Sequence, residues 1–278
     1  SGYITKAEGS TVRYGVIVYS DCFFNMYGGI IKGFTNSAGG GVQGYDGDFN
    51  MYGGEITGNN WGVKAYSNGT FNMLGGKITA NTQQGVYIEE NGKVNMSGGE
   101  ISNNIGGGVK ITKGTFTMSD GEISGNGADK GGGVYVASNG TFTMSDGEIS
   151  GNKATNGGGV YVWGDSTHEP KFTMSGGEIS GNEADTGGGV YVGSYGTFTM
   201  SGGEITGNNT ADNSKTNGNV YVYTAAFHVS GKAKIHDNWI NGKENNETGV
   251  YDEGDAGIAG HVYICPVTAE DFSYININ

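Results

Sequence analysis

The sequence predicts an all-β chain wound as a single-stranded parallel β-helix, a β-solenoid of about ten coils of 21–30 residues each. Two observations carry this expectation. All eight methionines (Met26, Met51, Met73, Met96, Met118, Met144, Met174 and Met200) occupy one position of a repeating unit. An isoleucine follows each of them by five residues, from Ile31 to Ile205. A globular core scatters methionine into irregular gaps, so one per period at fixed phase implies stacked, near-identical layers.

The fullest unit, Gly132 to Gly157, reads GGVYVASNGTFTMSDGEISGNKATNG. In Val134-Tyr135-Val136 the valines share one face and the tyrosine takes the other. In Thr141-Phe142-Thr143-Met144 the phenylalanine and methionine point one way and the threonines the other. In Glu148-Ile149-Ser150 only the isoleucine is apolar. Period-two alternation in short runs between Gly, Asn and Asp marks strands and turns, and no helical periodicity accompanies it.

Parallel stacking at ~4.8 Å per layer lines like residues into inward ladders. Valines run from Val16 to Val220 and aromatics from Phe24 to Phe227, with Val94 breaking the aromatic rank. Corner asparagines recur at Asn59, Asn81, Asn104, Asn126, Asn152, Asn182, Asn208 and Asn238. They are expected to pass amide hydrogen bonds from coil to coil. The paired glycines before each valine are expected to supply positive φ angles and close backbone approach. Asp120 and Asp146 replace a corner glycine, where a left-handed conformation would tolerate them.

Length varies only at corners. The Met-to-Ile spacing is constant, while the interval from corner Asn to the next Val grows from four residues (Asn59 to Val63) to eight (Asn126 to Val134) and twelve (Asn208 to Val220). Coil seven gains the insert WGDSTHEPK at 163–171. Such insertions are expected to project as loops and leave the inner tube intact. The chain is thus one solenoid domain, 1–278: a segment 1–13, regular coils 14–238, and an irregular loop with terminal strands at 239–278.

Composition narrows the function. There are 57 Gly but only 2 Pro, with no every-third-Gly register, which excludes collagen. A net charge of -13 with the single arginine Arg13 leaves no basic stripe for nucleic acid. No apolar run approaches the length of a membrane span. The chain begins at Ser1 without a signal-like segment, and reads as a processed or excised piece of a longer precursor.

The pairing of GGGV with ISGN resembles the GGA[ILV] and FxxN repeats of polymorphic outer-membrane proteins and related bacterial surface proteins. The likeness spans roughly 14–238, with Ile in place of the motif's Phe and with Phe34 standing where coil one should carry Asn. The resemblance implies a right-handed winding and a secreted or surface-displayed bacterial protein, an adhesin or stalk. It carries over no catalytic residues.

A carbohydrate-active enzyme is the runner-up class, because many parallel β-helices are polysaccharide lyases or hydrolases. Lyases of this fold commonly use an arginine base, and Arg13 precedes the regular coils. Hydrolases need two carboxylates roughly 5–9.5 Å apart on a cleft. Here Glu55, Glu100, Glu122, Glu148, Glu178 and Glu204 fall at one repeated position, which is first a solvated edge, and no catalytic residue is assigned. Asp120, Glu122, Asp146 and Glu148 fall on adjacent coils, where a calcium ion bridging them competes with the plainer reading of screened surface acids. His228 and His236 share coil nine on different strands with no carboxylate or cysteine at metal-ligand spacing, and His168 lies in the coil-seven insert, so no metal or catalytic role is assigned to them.

Two outward stripes are candidate surfaces. Tyr135, Tyr161, Tyr191 and Tyr221 stack in one phase and, with Trp163 and Trp239 on nearby loops, form a candidate glycan- or partner-binding stripe. The competing reading is that stacked tyrosines only stabilise neighbouring layers. Threonine pairs at Thr115/Thr117, Thr141/Thr143 and Thr197/Thr199 resemble ice-binding arrays, but Lys171 interrupts the row and His228 borders it.

Cys22 lies in the first coil and Cys265 beside the last strand, about 40 Å apart at ~4.8 Å per layer, which excludes a bridge within one regular solenoid. Stacked subunits would bring the two together as an intersubunit disulfide, against the alternative of two unrelated small apolar residues. No capping helix is foreseen at either end, so head-to-tail self-association into a filament is expected. The sequence therefore points to a non-enzymatic extracellular structural protein, the rod of a surface adhesin or a filament subunit, with a glycan-binding module as a further alternative.

Overall fold

The computed structural model describes residues 2–210, 219–223, 225–236, 239–240, 243–244, 262–265 and 275–277, with side chains as far as Ile235. Among these residues every regular element is a strand. Apart from the antiparallel pair Trp239–Ile240 and Lys243–Glu244, the strands stack in parallel on equivalent strands of neighbouring coils, as a β-solenoid. In the central coils Val134–Ala137 pairs with Val160–Trp163, Thr141–Met144 with Lys171–Met174, and Glu148–Ser150 with Glu178–Ser180. The ten strands of one sheet, from Tyr14–Val18 to Val262–Cys265, enclose about nine turns and not the ten expected. Among the described residues the last layer contributes Val262–Cys265 and Ile275–Ile277.

The register is residue for residue. Phe142 faces Phe172, Met144 faces Met174 and Ile149 faces Ile179. Like side chains therefore meet across most layers, with exceptions such as Val94 between Phe71 and Phe116 and Val229 after Met200, and the Val, Phe, Met and Ile ranks form one continuous buried core. The phenylalanine rings stack with centroids 4.5–5.3 Å apart and planes within 3–16°. That spacing is the layer repeat itself, so the rings stack without leaving strand geometry.

At the Met-to-Ile corner the chain turns through a glycine with positive φ, from Gly54 at 93° to Gly203 at 85°. The terminal methyl of the previous coil's methionine lies where that glycine's Cβ would be, at 2.6–2.7 Å for every pair from Met26/Gly54 to Met174/Gly203. A side chain is excluded there both by φ and by space. Two expectations need correcting here. Gly132 and Gly133, before Val134, provide only close approach, and positive φ belongs to the preceding Gly131 at 62°. Asp120 and Asp146 are not left-handed either: they precede the left-handed Gly121 and Gly147, and each accepts that glycine's N–H at 2.7 and 2.8 Å.

The corner asparagines are fully buried and wired in series. Asn152 Nδ2 donates to the Ile123 carbonyl of the coil before (2.9 Å) and to Asn182 Oδ1 of the coil after (3.0 Å). Asn152 Oδ1 in turn accepts from Asn126 N–H and Nδ2 at 2.9 and 3.0 Å. The ladder starts at Phe34, whose N–H donates to Asn59 Oδ1. It ends at Asn219, whose Oδ1 accepts from Asn208 N–H and Nδ2 at 3.2 and 2.9 Å. Asn219 stands where earlier coils carry the glycine before valine, and it fills the rung assigned from sequence to Asn238, which lies outside the described residues.

The insertions after the corner Asn in coils five to seven do not form loops, whereas the coil-seven insert at 163–171 does turn outward as expected, through an isolated Asp165–His168 bridge. In coils five to eight the residues after the corner Asn are strands, Gly127–Lys130, Lys153–Asn156, Glu183–Thr186 and Asn209–Thr210, and they open a third sheet of six strands. Equal interval lengths put Ala128, Ala154 and Ala184 in register, and Lys153 pairs with Glu183 at 3.0 Å. Four extended residues of matched length gain ladder hydrogen bonds that a loop would leave to water. The solenoid thus widens at coil five.

Candidate functional site

The middle residue of each Val-x-Val strand points outward, and the register sets these residues in one column: Ile17, Gln43, Lys64, Tyr87, Lys110, Tyr135, Tyr161, Tyr191 and Tyr221. The predicted tyrosine stripe is its lower half. Tyr161 and Tyr191 are only 2% and 9% exposed, while Tyr135 is half-buried. Trp163 reaches across the bare backbone of Gly193, stacking on Tyr161 and Tyr223 and tilting against Tyr191. Burial raises the Tyr161 hydroxyl above the ordinary tyrosine pKa. This half of the column is packing surface as much as binding surface, and the Trp239 side chain lies outside the described residues.

The upper half alternates lysine with aromatic rings, a pattern that the sequence reading missed although Val-Lys-Ala, Val-Tyr-Ile and Val-Lys-Ile alternate in plain sight. Lys64 Nζ lies over Trp61, Tyr66 and Tyr87 at 5.4, 4.9 and 5.2 Å. Lys110 Nζ lies 5.6 Å from both Tyr87 and Tyr135. Lys130 lies over Tyr161 and Trp163 at 5.6 and 6.0 Å. Each ring presents its electron-rich face to an ammonium, which holds the long side chain in place.

Glu89 joins the cluster, with Oε2 on Lys64 at 2.8 Å and Oε1 accepting from the Tyr87 hydroxyl at 2.6 Å. Burial opposes ionisation of Glu89, but the hydrogen bonds from Lys64 and Tyr87 outweigh it and hold the carboxyl below its usual range. Burial first, and then the Glu89 carboxylate, push the Tyr87 hydroxyl far above 10.

Beside this column, where the third sheet begins, a groove of about 540 Å³ opens between Gln83, Gln84, Lys110, Asp129, Lys130 and Tyr135. Gln84 Nε2 donates to the Gly106 carbonyl on its floor.

A second set of outward features lies on the first coils. Asn50 Nδ2 donates to Asn25 Oδ1, Asn72 to Asn50 and Asn95 to Asn72, at 2.8–2.9 Å, in an outward amide ladder that is half-buried except at Asn95. Tyr27 and Tyr52 stack beside it at 4.8 Å with planes 10° apart, followed by exposed Leu74. Tyr19, Tyr45 and Tyr66 form a second row at the end of the preceding strands of the neighbouring sheet, just before the chain turns into the ladder's strands. The recurring Asn-Met dipeptide was the sequence signal for this ladder.

The remaining candidates are placed as follows. Glu122 and Glu148 stand in register, and Asp146 and Glu148 line a groove of about 600 Å³ with Glu178, Glu204, Lys232 and Lys234. Among the described residues no three His, Cys, Asp or Glu side chains are gathered as a metal ion would need, so Asp120, Glu122, Asp146 and Glu148 are not drawn into one ligand set. Lys77 interrupts the acidic column and pairs with Glu100 at 2.6 Å. In the coil-seven insert Asp165 accepts from Thr167 and pairs with His168 Nδ1 at 2.8 Å, and its carboxyl is lowered to about 2 by Thr167 first and then His168. Cys22 is exposed and unbridged. Cys265 ends the last strand of its sheet, opposite Tyr223, and its side chain lies outside the described residues.

Comparison with family models, with curated proteins and with solved structures gave no match for this chain.

Proposed function

We propose that this chain is a non-enzymatic structural protein, a stiff shaft exposed outside the cell in the manner of a bacterial surface adhesin or a head-to-tail filament subunit. One observation carries the reading: the inward Val, Phe, Met and Ile ranks form one buried core through the described coils, interrupted only by apolar exchanges such as Val94 and Val229, and the asparagine ladder runs from Asn59 to Asn219. Successive layers therefore present closely similar interfaces to one another, which favours persistence along the axis over a single specialised cavity. The outer carboxylates repeat from coil to coil, so none is singled out as the acid or base of a hydrolytic pair. Negative-stain microscopy of the purified chain tests the reading. Straight rods of ~43 Å, or fibres built from them, are expected from about nine layers at ~4.8 Å. Flexible or globular particles, or turnover of any polysaccharide in a depolymerisation screen, would count against it.

A glycan-binding role is the second reading, and the exposed rows Tyr27/Tyr52 and Tyr19/Tyr45 flanking the amide ladder favour it. Stacked aromatic faces beside a row of outward amides suit a neutral polysaccharide. Loss of retention on insoluble polysaccharide in Tyr27→Ala/Tyr52→Ala is the measurement; unchanged retention would remove these rows from the account.

A further inference from the structure

We infer that the groove at the start of the third sheet binds an acidic saccharide, a hydroxyl-rich ring carrying a carboxylate. The proposal stands apart from the shaft reading and from the neutral-glycan surface on the first coils.

Charge comes first. The chain carries a net charge of -13, yet this groove is lined by two lysines, Lys110 and Lys130, and neither forms an ion pair among the described residues. Glu89, the carboxylate beside Lys110, has one oxygen committed to Lys64 and the other to Tyr87. Both ammonium groups are instead held over aromatic rings, which fixes their position without neutralising them. Two positioned, unneutralised ammonium groups in one groove of an acidic protein call for an anion.

The other lining groups say which anion. Gln83 and Gln84 bring amides, and Asp129 brings a carboxylate into the same space. Asp129 repels a bare phosphate or sulfate but accepts hydrogen bonds from hydroxyls. A ligand that satisfies both lysines and Asp129 therefore carries an acid and hydroxyl donors together, as a uronic or sialic acid does. Tyr135 offers a half-buried aromatic wall for a sugar ring.

An acidic peptide adding as a strand fits less well. Gly127–Lys130 pairs on one edge only, but it is four residues long and its first N–H is already given to Asn104. Strand addition draws its affinity from a longer run of free main-chain groups.

The test uses the whole chain and three probes (a glucuronate-containing tetrasaccharide, a galacturonate trimer and sialyl-lactose), each beside its carboxyl-reduced neutral form. Binding is followed by side-chain amide resonances of Gln83 and Gln84 and by calorimetry. At least one acidic probe is expected to shift both amides, and its neutral form to leave them unmoved. Lys110→Gln and Lys130→Gln should each weaken binding about tenfold, while Tyr27→Ala/Tyr52→Ala should not change it. Asp129→Asn distinguishes the ligand class: it should weaken the acidic saccharide severalfold and strengthen inorganic sulfate. The proposal fails if no acidic probe moves the amides, if the neutral forms bind equally, if Asp129→Asn strengthens saccharide and sulfate alike, or if a Glu-rich peptide competes more strongly than any sugar.

Discussion

The terminal methyl of Met118 lies 2.7 Å from the point where a Cβ on Gly147 would stand, in the next coil. Methionine and glycine thus form one unit across the layer boundary. The flexible thioether reaches beneath a corner that only glycine can turn, at φ 93°. Coil nine breaks the unit at both members, with Val229 in the methionine phase and buried Ala233 two residues before Ile235.

Gly147→Ala should therefore cost about 1–3 kcal/mol, from a left-handed alanine and a displaced methionine. Met118→Ala should cost about 2–5 kcal/mol by cavity formation. The double variant should cost less than the sum of the two single variants, because the methyl that collides with the new Cβ is gone. Urea titration of the four proteins measures this, and strict additivity would show that the contact is incidental.

Asn152→Ala removes a buried amide that serves four hydrogen bonds in three coils. Leaving the Ile123 carbonyl and the Asn126 donors unpartnered should cost about 1–3 kcal/mol for each group that water cannot reach. Hydrogen exchange is the appropriate readout, since a solenoid loosens locally before it unfolds. Faster exchange should centre on Asn126 and fade within one or two coils.

The cluster of Lys64, Tyr87 and Glu89 makes stability depend on pH at both ends. Glu89 has a lowered folded pKa, so its contribution is present above the ordinary glutamate range and is lost as pH falls through the lower folded value. Tyr87 has a raised folded pKa, so its contribution is complete below about 10, the ordinary tyrosine value, and is lost as pH rises towards the folded value. Tyrosinate absorbance gained near pH ~10 should be the same in the unmodified chain and in Tyr87→Phe, because Tyr87 does not ionise in that range. Glu89→Gln should shift the Tyr87 titration downward.

Asp165, fully exposed in the coil-seven insert, should remain ionised at a pH where ordinary aspartates are half protonated, because its carboxyl titrates at about 2. Carboxyl carbon shifts followed by NMR would show this. Thr167→Val should return Asp165 towards the ordinary range, since Thr167 is the first cause of the shift.

Gly193→Ala would place a methyl group inside the Trp163 indole. The fold should survive, because the collision involves an outer side chain, but the ring should leave its place among Tyr161, Tyr191 and Tyr223. A red shift of tryptophan emission with unchanged far-ultraviolet dichroism is the expected result.

The inner ladders were legible because a solenoid repeats one environment along one dimension. Once Met118 and Met144 are seen in phase, their stacking follows. The third sheet was not legible by the same route, since its segments alternate weakly and vary in polarity. Its one constant is an alanine two residues after the corner Asn, at Ala128, Ala154 and Ala184. The outward column was read only in part. That Tyr135, Tyr161 and Tyr191 share a face follows from phase, but that Trp163 covers the last two depends on the absence of a side chain at Gly193 in the neighbouring coil. The groove at Lys110 and Lys130 depends on a change of coil width, which no single repeat contains.

That change of width has a mechanical consequence. Bending stiffness rises faster than linearly with the breadth of a section, so the coils that carry a third sheet resist sideways load more than the narrower coils before them. A lateral pull should concentrate flexure between Trp61 and Asn126, and the saccharide groove lies at that boundary. A ligand wedged there would act as a brace at the point where the beam gives first.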